Sequence, residues 1–441
     1  MIKKTLVLFL LMTSLLLSDL GYSQVIIDIT RASKASYPIA IDTPFTSTRR
    51  YKSLTVEDTF NNTLQSDLMT LNVFRFIPKQ AFLEKNSEKK FTAQNIDFAN
   101  WAVLDALALI KTEYSKRSDG KYVVHAKLFN ILSKSLLLEK KYAGSIVTID
   151  SMAHKFADEV VETLTGESGF FNSTIAFICK PGRHKELCTM DIHGKNVQQI
   201  TRDNSIVLSP SWDKKRNKLY YTAFKNKNIP RVYGYDFATK RHTPMVAPKK
   251  GMMIGLDIDP WGQFLATTLT KDGNPELYLL SLNGNIAHRL TTHWANDVSP
   301  SFSPDGKKIA FISNRNGSVQ VFVMPRNGGT IKQLTFKGKD NTSPAWSPDS
   351  KYIAFAGMDT DGHYDIFTFD VENGTLPIRR TYDSKDNIDP TWSPGGHLIA
   401  FASNRSGTYQ IWTMRPDGTN QKQISKNSSW HHSMPKWSPN N

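Results

Sequence analysis

The sequence is poor in cysteine, in blocks of like charge and in long apolar runs, and each absence excludes a class of protein. Two cysteines among 441 residues exclude a disulfide-rich scaffold, and no Cys-x-x-Cys pair exists for a zinc site. The 25 glycines and 21 prolines are too few for a low-complexity chain, and 11% aromatic residues indicate packed structure rather than disorder. The net charge is +15, but no block of five or six like charges occurs. The composition therefore predicts a folded protein with a basic surface, which suits acidic proteins, lipid headgroups or nucleic acid.

The first 23 residues have the pattern of a secretory signal peptide. Two lysines precede an apolar run over residues 6–17. These 12 residues are too few to cross a bilayer, which requires roughly 20 helical residues. Gly21 and Ser23 are small residues at the positions that precede a cleavage site, so we expect the mature chain to begin at Gln24. The sequence thus predicts an exported chain, and an uncleaved membrane anchor is the alternative.

The C-terminal part of the chain repeats. In the clearest copy, Ser303-Pro304-Asp305-Gly306 is a turn signal, and Lys308–Ser313 is apolar at successive positions, as in a strand buried on both faces. Adjacent copies are separated by 44 to 46 residues, close to the roughly 40–45 that four strands of a propeller blade require. The six anchor positions of the repeat are Trp212, Ile258, Phe302, Trp346, Trp392 and Trp437. Each repeat therefore predicts one four-stranded blade.

The two ends of the repeat array complement each other. The last copy, around Trp437, contains only a first strand, whereas Ile175-Ala176-Phe177 is a second strand with no first strand before it. Third and fourth strands follow at residues 186–190 and 197–201. Pairing the ends would close a ring of six blades and remove exposed edge strands. An open six-repeat solenoid is the alternative, but it needs capping repeats, and none is visible in the sequence.

Residues 24–165 lack the repeat and predict a separate small domain. Two helices are indicated by apolar residues at spacings of four, one from Val56 to Leu68 and one from Met152 to Leu164. Strands are predicted at residues 25–29, 37–41, 74–77, 106–113, 122–130 and 136–142. The predicted fold class is therefore mainly β, a six-bladed β-propeller over residues 170–441 preceded by a small α+β domain over residues 24–165.

Motifs for catalysis are missing from the sequence. It contains neither the Gly-x-Ser-x-Gly nucleophile elbow nor the His-Glu-x-x-His zinc motif. His431 and His432 are adjacent, so on a strand they point to opposite faces and ligate one metal poorly. Cys179 and Cys188 are predicted on neighbouring strands, but the pattern does not fix the register that decides whether they form a disulfide. We therefore predict no enzymatic activity, no catalytic residues, no cofactor and no metal site.

A ring of six blades brings the loops that lead into its innermost strands together around a central channel. Polar groups around a rigid opening, with a methionine patch at one side, suit a protein partner. The alternative is that the Asx residues in these loops only build turns. The candidate binding residues are Met252, Met253, Asn296, Asp297, Asp340, Asn341, Asp386, Asn387, His431 and His432.

The chain resembles the TolB family, the periplasmic propeller proteins of the Tol–Pal envelope system. The resemblance is carried by Asp158-Glu159-Val160, by Ile175-Ala176-Phe177, by the repeated Trp/Phe-Ser-Pro-Asp-Gly segments and by the ending Pro435-Lys436-Trp437-Ser438-Pro439. The order of signal peptide, α+β domain and six repeats extends it over the whole chain.

The resemblance implies a function. It implies that the loop face holds Pal, the peptidoglycan-associated lipoprotein, and that the first mature residues bind the inner-membrane protein TolA. It further implies a monomeric, non-enzymatic periplasmic adaptor that supports envelope integrity and outer-membrane constriction during cell division. A regulatory propeller for a separate exported hydrolase is the alternative, and export disfavours nucleic acid as a ligand. The predicted TolA-binding residues are Gln24, Val25, Ile26, Ile27 and Asp28.

Overall fold

A computed structural model describes residues 36–46, 52–83, 90–213, 217–226, 229–245, 251–358, 360–374, 376–382, 385–426 and 429–439. The predicted signal peptide, the predicted strand at residues 25–29 and the predicted TolA-binding segment lie outside these residues. The chain divides into two compact units. The first comprises the described residues up to Ile146 together with Glu159–Glu167, and the second comprises Val147–Asp158 together with the described residues from Ser168 onward. No helix among the described residues is long and apolar enough to cross a membrane.

The first unit contains a five-stranded mixed sheet, which confirms the predicted α+β class. Strand β1 (Tyr37–Ile41) lies between β2 (Phe74–Phe76) and β3 (Ala108–Lys116) and pairs in parallel with both. Strands β4 (Tyr122–Asn130) and β5 (Ser135–Gly144) continue the sheet in antiparallel order. Three α-helices occur in the described part of the chain, α1 (Leu54–Leu71), α2 (Phe98–Ala102) and α3 (Ile149–Thr165), with 3-10 turns at Lys79–Ala81 and Ile146–Thr148.

Burial of an apolar stripe explains why α1 forms where the sequence predicts a helix. Val56, Phe60, Leu64 and Leu68 are at most 1% exposed, so the predicted face is the one that packs. Asn72 ends the helix in a left-handed conformation, and its backbone N–H bonds the carbonyl of Met69. Burial of its apolar face therefore stabilises α1 as a helix, although its other face is polar.

The described part of the second unit contains six four-stranded antiparallel sheets arranged as propeller blades. Each blade runs from an innermost strand at the channel to an outermost strand at the rim. The first three strands in chain order are β6 (Thr174–Lys180), β7 (Glu186–Asp191) and β8 (Gln198–Gln199). Five complete blades follow, each given from its innermost to its outermost strand. The first two are β9 (Val207–Trp212), β10 (Lys218–Asn226), β11 (Ile229–Asp236) and β12 (Arg241–Pro244), and then β13 (Met253–Ile258), β14 (Phe264–Leu269), β15 (Glu276–Ser281) and β16 (Ile286–Arg289). The last three are β17 (Asp297–Phe302), β18 (Lys308–Ser313), β19 (Gln320–Pro325) and β20 (Lys332–Gln333); β21 (Asp340–Trp346), β22 (Tyr352–Met358), β23 (Tyr364–Asp370) and β24 (Ile378–Arg379); and β25 (Asn387–Trp392), β26 (Ile399–Ser403), β27 (Gln410–Met414) and β28 (Lys422–Gln423).

The last strand closes the ring, as the sequence predicts. Strand β29 (His431–Trp437) pairs antiparallel with β6 and completes the sheet β29-β6-β7-β8. Trp437 Nε1 donates to Ser173 Oγ at 2.6 Å, and Ser438 and Thr174 exchange two further hydrogen bonds of 2.8 and 3.0 Å. The two ends of the array, 264 residues apart, are thereby joined.

A bulge in each innermost strand explains why proline recurs in strands at the centre of the propeller. The strand pairing shifts by a residue in all six innermost strands, next to a residue with φ between 50° and 65°. In five of them the next residue is proline, which has no N–H to donate to the ladder and is tolerated at the bulge. The six residues with positive φ are Ser209, Gly255, Ser299, Ser343, Asp389 and Met434.

The two cysteines form a disulfide between the second and third strands of the closing blade. Cys179 and Cys188 lie on β6 and β7 with their Cα atoms 5.9 Å apart, and both side chains are fully buried. Disulfides persist in oxidising compartments, so this bond agrees with the predicted export of the chain.

Candidate functional site

All six innermost strands begin at one end of the channel, which we call the upper face. The connectors that lead from each outermost strand to the next blade lie at this end. The loops between second and third strands lie there too, because the four strands of a blade alternate in direction. The opposite end, where the innermost strands finish, is the lower face. All ten candidate residues of the sequence analysis lie at the upper face, where each innermost strand starts.

The ten candidates alternate between surface and interior. In every adjacent pair the first residue is exposed or half-buried and the second is buried, as expected where a strand begins and successive side chains point to opposite sides. The surface members are Met252, Asn296, Asp340, Asp386 and His431, and the buried members are Met253, Asp297, Asn341, Asn387 and His432. Five of these side chains are therefore accessible at the upper face, and the other five are packed inside the blades.

Asp297 is completely buried and is paired with an arginine of its own blade. Arg315 Nη2 contacts both carboxylate oxygens of Asp297 at 2.8 Å. The Arg315 guanidinium also stacks over the rings of Phe311 and Phe322, at 5.5 and 5.2 Å from their centres. The pair fixes the loop between β18 and β19 to the start of β17.

The two buried asparagines, Asn341 and Asn387, each tie a blade to the one before it. Asn341 Nδ2 donates to Gln320 Oε1 at 2.8 Å, and Asn387 Nδ2 donates to Asp365 Oδ1 at 3.0 Å. Burial raises the pKa of Asp365, although Thr381 and Arg379 also bond its carboxylate. Because each bond joins the first strand of one blade to the third strand of the preceding blade, the blades keep a fixed orientation around the channel.

Two half-buried carboxylates and two tyrosines form a connected chain along the upper face. Tyr364 Oη donates to Asp340 Oδ2 at 2.6 Å, and the Tyr364 backbone N–H donates to Asp386 Oδ1 at 3.2 Å. Tyr409 Oη donates to Asp386 Oδ2 at 2.9 Å. Burial is the largest cause that raises the pKa of both tyrosines, and the hydrogen bond to the neighbouring carboxylate is the second. Both tyrosines therefore remain neutral donors at physiological pH.

In the pair of adjacent histidines, as in the other pairs, the first side chain is exposed and the second is buried. His431 is exposed near the ring of Tyr409, whereas His432 is 4% exposed and packs edge-on against Phe177 at 4.9 Å. Burial lowers the pKa of His432 to about 4. His432 is therefore a neutral packing residue of the closing blade at physiological pH, and only His431 presents its ring at the surface.

The channel contains charged residues that the sequence analysis does not identify. Asp257 accepts hydrogen bonds from Ser211 Oγ and the Phe302 N–H, both at 2.9 Å, and forms an ion pair of 3.0 Å with Lys436. Asp257 and Lys436 occupy the repeat position that is serine, alanine or threonine in the other four copies. A position-by-position comparison of the six repeats would have revealed them as the two charged exceptions.

A cavity of about 380 Å³ lies at the lower end of the propeller unit, away from all ten candidates. Its wall includes the start of α3, at Asp150, and the end of β9, at Trp212. Asn196 Nδ2 donates to Asp150 Oδ2 and to Asp191 Oδ2 at 2.8 and 2.9 Å, so one amide links two carboxylates of the wall.

The fold defines a six-bladed β-propeller protein with an N-terminal α+β unit. Family models describe both parts: the TolB beta propeller domain matches residues 161–360 and 340–441, and the TolB amino-terminal domain matches residues 25–137. Because the propeller model alone covers more than half of the chain, the chain belongs to the TolB family, whose members are components of the Tol–Pal system.

Individual relatives agree with this assignment. A Tol-Pal system protein TolB from Desulfosudis oleivorans is 37% identical over 222 residues, which is 50% of each chain. A TolB homolog from Chlorobium chlorochromatii is 33% identical over 287 residues, 64% of this chain and 62% of the relative. The chain thus spans about half to three-fifths of the length of these curated relatives. The crystal structure of TolB from Acinetobacter baumannii matches 95% of this chain and 100% of its own with a TM-score of 0.76, and at 24% identity this likeness shows the fold alone.

Proposed function

We propose that this protein is a non-enzymatic periplasmic adaptor that links the inner-membrane protein TolA to a Pal-like lipoprotein of the outer membrane. In this role it supports envelope integrity and outer-membrane constriction during cell division. Membership of the TolB family supports the assignment to the Tol–Pal system. The observation that carries the proposal is the alternation at the upper face, where Met252, Asn296, Asp340, Asp386 and His431 reach the surface from a buried, hydrogen-bonded base.

The chemistry of the upper face supports binding rather than catalysis. A general base needs a carboxylate or imidazole that can take up a proton from a substrate. Asp297 is held by Arg315, and Asp386 accepts hydrogen bonds from Tyr409 and from Asn404 Nδ2, the latter at 3.3 Å. These carboxylates already have internal partners, so their role in the proposal is to shape a rigid docking surface.

The organisation of the chain in this proposal follows the sequence analysis. Residues 1–23 direct export to the periplasm and are removed. Residues 24–165 form the N-terminal domain, whose first residues bind TolA, and residues 170–441 form the propeller that holds the lipoprotein. The protein acts as a monomer in this proposal.

Binding of a Pal-like lipoprotein tests the proposal directly. We expect isothermal titration calorimetry to detect binding between the mature protein and the soluble domain of the Pal-like lipoprotein from the same organism. Combined substitution N296A/D340A/D386A should weaken binding at least tenfold, because it removes one surface side chain and the two carboxylates that brace the surface through Tyr364 and Tyr409. Glu372→Ala is the matched control, because Glu372 is exposed in a turn at the lower face. Lack of binding by the unmodified protein would contradict the proposal.

The TolA contact is tested by shortening the mature chain. We expect removal of residues 24–28 to abolish capture of the periplasmic domain of TolA while lipoprotein binding is retained. A truncated protein that still binds TolA would exclude these residues as its binding segment.

A further inference from the structure

Three large aromatic side chains are exposed on successive connectors of the upper face. Trp294, Phe336 and Tyr382 lie on the connectors that follow β16, β20 and β24, and they are 74%, 73% and 73% exposed. We call these three residues the aromatic arc. Aromatic residues supply a large share of the binding energy at interfaces, so three of them exposed at one face of the propeller indicate an interaction site.

Neighbouring groups support two of the three rings of the arc, those of Tyr382 and Trp294. Tyr382 Oη donates to the backbone carbonyl of Arg379 at 2.9 Å, and the Arg379 guanidinium lies 5.4 Å from the centre of the Tyr382 ring. The Trp294 ring packs against His293, with the ring centres 5.3 Å apart. A ring that is already held in position loses less conformational entropy on binding, so these rings suit a docking surface.

Among the residues that the structure describes, the fully exposed charges on the same connectors are positive. Lys337, Lys339 and Lys385 are exposed on the connectors that carry Phe336 and Tyr382, and Lys426 is exposed on the next connector. Asp340 and Asp386 are half-buried and accept hydrogen bonds from the hydroxyls of Tyr364 and Tyr409, and the exposed Asp361 of the neighbouring loop is paired with Arg379 at 3.4 Å. The lysine ammonium groups therefore determine the electrostatic character of this side of the upper face.

We propose that the aromatic arc and these lysines form the docking surface for an acidic protein segment that also carries apolar side chains. The inference deepens the proposed function, on which it rests, by stating which part of the upper face and which chemistry the lipoprotein partner uses. Carboxylates of the partner pair with the ammonium groups, and its apolar side chains cover the three rings. An anionic glycan is the alternative occupant, and the experiments below distinguish it from a protein segment.

Alanine substitution in the arc tests the apolar part of the docking surface. The probe is the soluble domain of the Pal-like lipoprotein, titrated into the full mature chain. We expect Trp294→Ala, Phe336→Ala and Tyr382→Ala each to weaken binding about tenfold or more, with unchanged melting temperatures because the rings are exposed. Leu376→Ala is the matched control, since Leu376 is 61% exposed in a turn at the lower face. It should bind as the unmodified protein does.

Charge reversal tests the electrostatic part. We expect K337E/K339E/K385E to slow association with the lipoprotein domain at least tenfold. The variant should also reduce the dependence of the affinity on salt between about 50 and 300 mM sodium chloride, the range over which screening of exposed charges changes most. Lys307→Glu, a reversal of an exposed charge at the lower face, should leave both quantities unchanged.

The outcomes separate the inference from the proposed function. Binding by the unmodified protein with no effect of the arc and lysine variants would overturn this inference and leave the adaptor role intact. Failure of the unmodified protein to bind the lipoprotein domain would overturn both. Binding of soluble anionic peptidoglycan fragments that is lost in the arc variants, with lipoprotein binding unchanged, would overturn the inference in favour of a glycan site.

Discussion

Arg315 and Arg405 occupy the same position in two blades, but their partners differ in charge. Both follow an asparagine in the loop between second and third strands, and both guanidinium groups stack on the aromatic rings of those strands. Arg315 pairs with the carboxylate of Asp297, whereas Arg405 Nη2 donates to the amide oxygen of Asn387 at 2.5 Å. The same arginine position thus pairs with a carboxylate in one blade and with an amide in another. Comparing the two blades therefore measures how much the charge of the partner contributes to stability.

Removing Arg315 should destabilise the propeller more than removing Arg405. Arg315→Ala leaves the buried carboxylate of Asp297 without its counter-ion, which costs about 3 kcal/mol of the free energy of unfolding. Arg405→Ala leaves a neutral amide with fewer hydrogen bonds, which costs about 1 kcal/mol. Chemical denaturation of both variants measures the difference. The double substitution D297N/R315A should recover most of the excess loss, and equal losses for the two single variants would contradict the argument.

Acidification should destabilise the protein through His432. Burial lowers the pKa of this residue to about 4 in the folded chain, against about 6.5 for an unfolded histidine. The unfolded chain therefore binds the proton first, so the contribution of His432 to stability is complete above pH 6.5 and is lost as the pH falls toward 4. The loss is about 3 kcal/mol.

Denaturation between pH 7 and pH 4 of the unmodified protein and of His432→Phe measures this contribution. The phenylalanine variant should lose less stability on acidification, because the ring cannot take up a proton. His431→Gln, on the exposed side of the same strand, should follow the unmodified protein. Identical pH profiles for His432→Phe and the unmodified protein would contradict the assignment of this role to His432.

At the scale of elements, the sequence predicts the inner part of each blade well and the outer part poorly. Lys308–Ser313 has the predicted bounds, because burial on both faces requires nearly continuous apolar residues. The fourth strand of the closing blade is predicted at residues 197–201 and covers Gln198–Gln199 in the structure. Outer strands face solvent, so their sequences lack a hydrophobic pattern that marks their ends. The five-residue α2 is too short to show a helical period and is not predicted.

The candidate site illustrates the same limit. Counting repeats locates the connectors at the upper face, but it does not show which member of each adjacent pair reaches the surface. That alternation depends on where each innermost strand begins, and the bulges at Ser299 and its equivalents add a further shift of register. The disulfide likewise depends on the register of β6 and β7, which a single sequence does not fix.

Truncation before Met434 tests the closing strand. The truncated chain loses most of β29, including Trp437, which is 5% exposed and bonds Ser173. Loss of this tryptophan alone removes about 3 to 5 kcal/mol of stability, and the freed edge of β6 becomes a site for aggregation. We expect a melting temperature lower by many degrees and soluble aggregates in size-exclusion chromatography. Removal of residues 440–441 is the control, and an unchanged melting temperature on truncation before Met434 would contradict closure of the ring.

At the scale of the whole molecule, the propeller forms a closed ring whose upper face is braced from within. Buried side-chain hydrogen bonds from Asn341 and Asn387 join two pairs of adjacent blades, and the last strand completes the first sheet. A surface built in this way binds a partner without having to order itself first, so little binding energy is lost to conformational entropy. The central claim is that this upper face holds the Pal-like lipoprotein.

Hydrogen–deuterium exchange of the full mature chain, with and without the soluble domain of the lipoprotein, measures this claim most directly. The account predicts slower amide exchange on complex formation in the upper connectors, at residues 291–297, 335–341 and 385–387. Exchange in the lower turns, at residues 303–307, 347–351 and 393–397, should not change. Slower exchange in the lower turns, with the upper connectors unaffected in a saturated complex, would contradict the account.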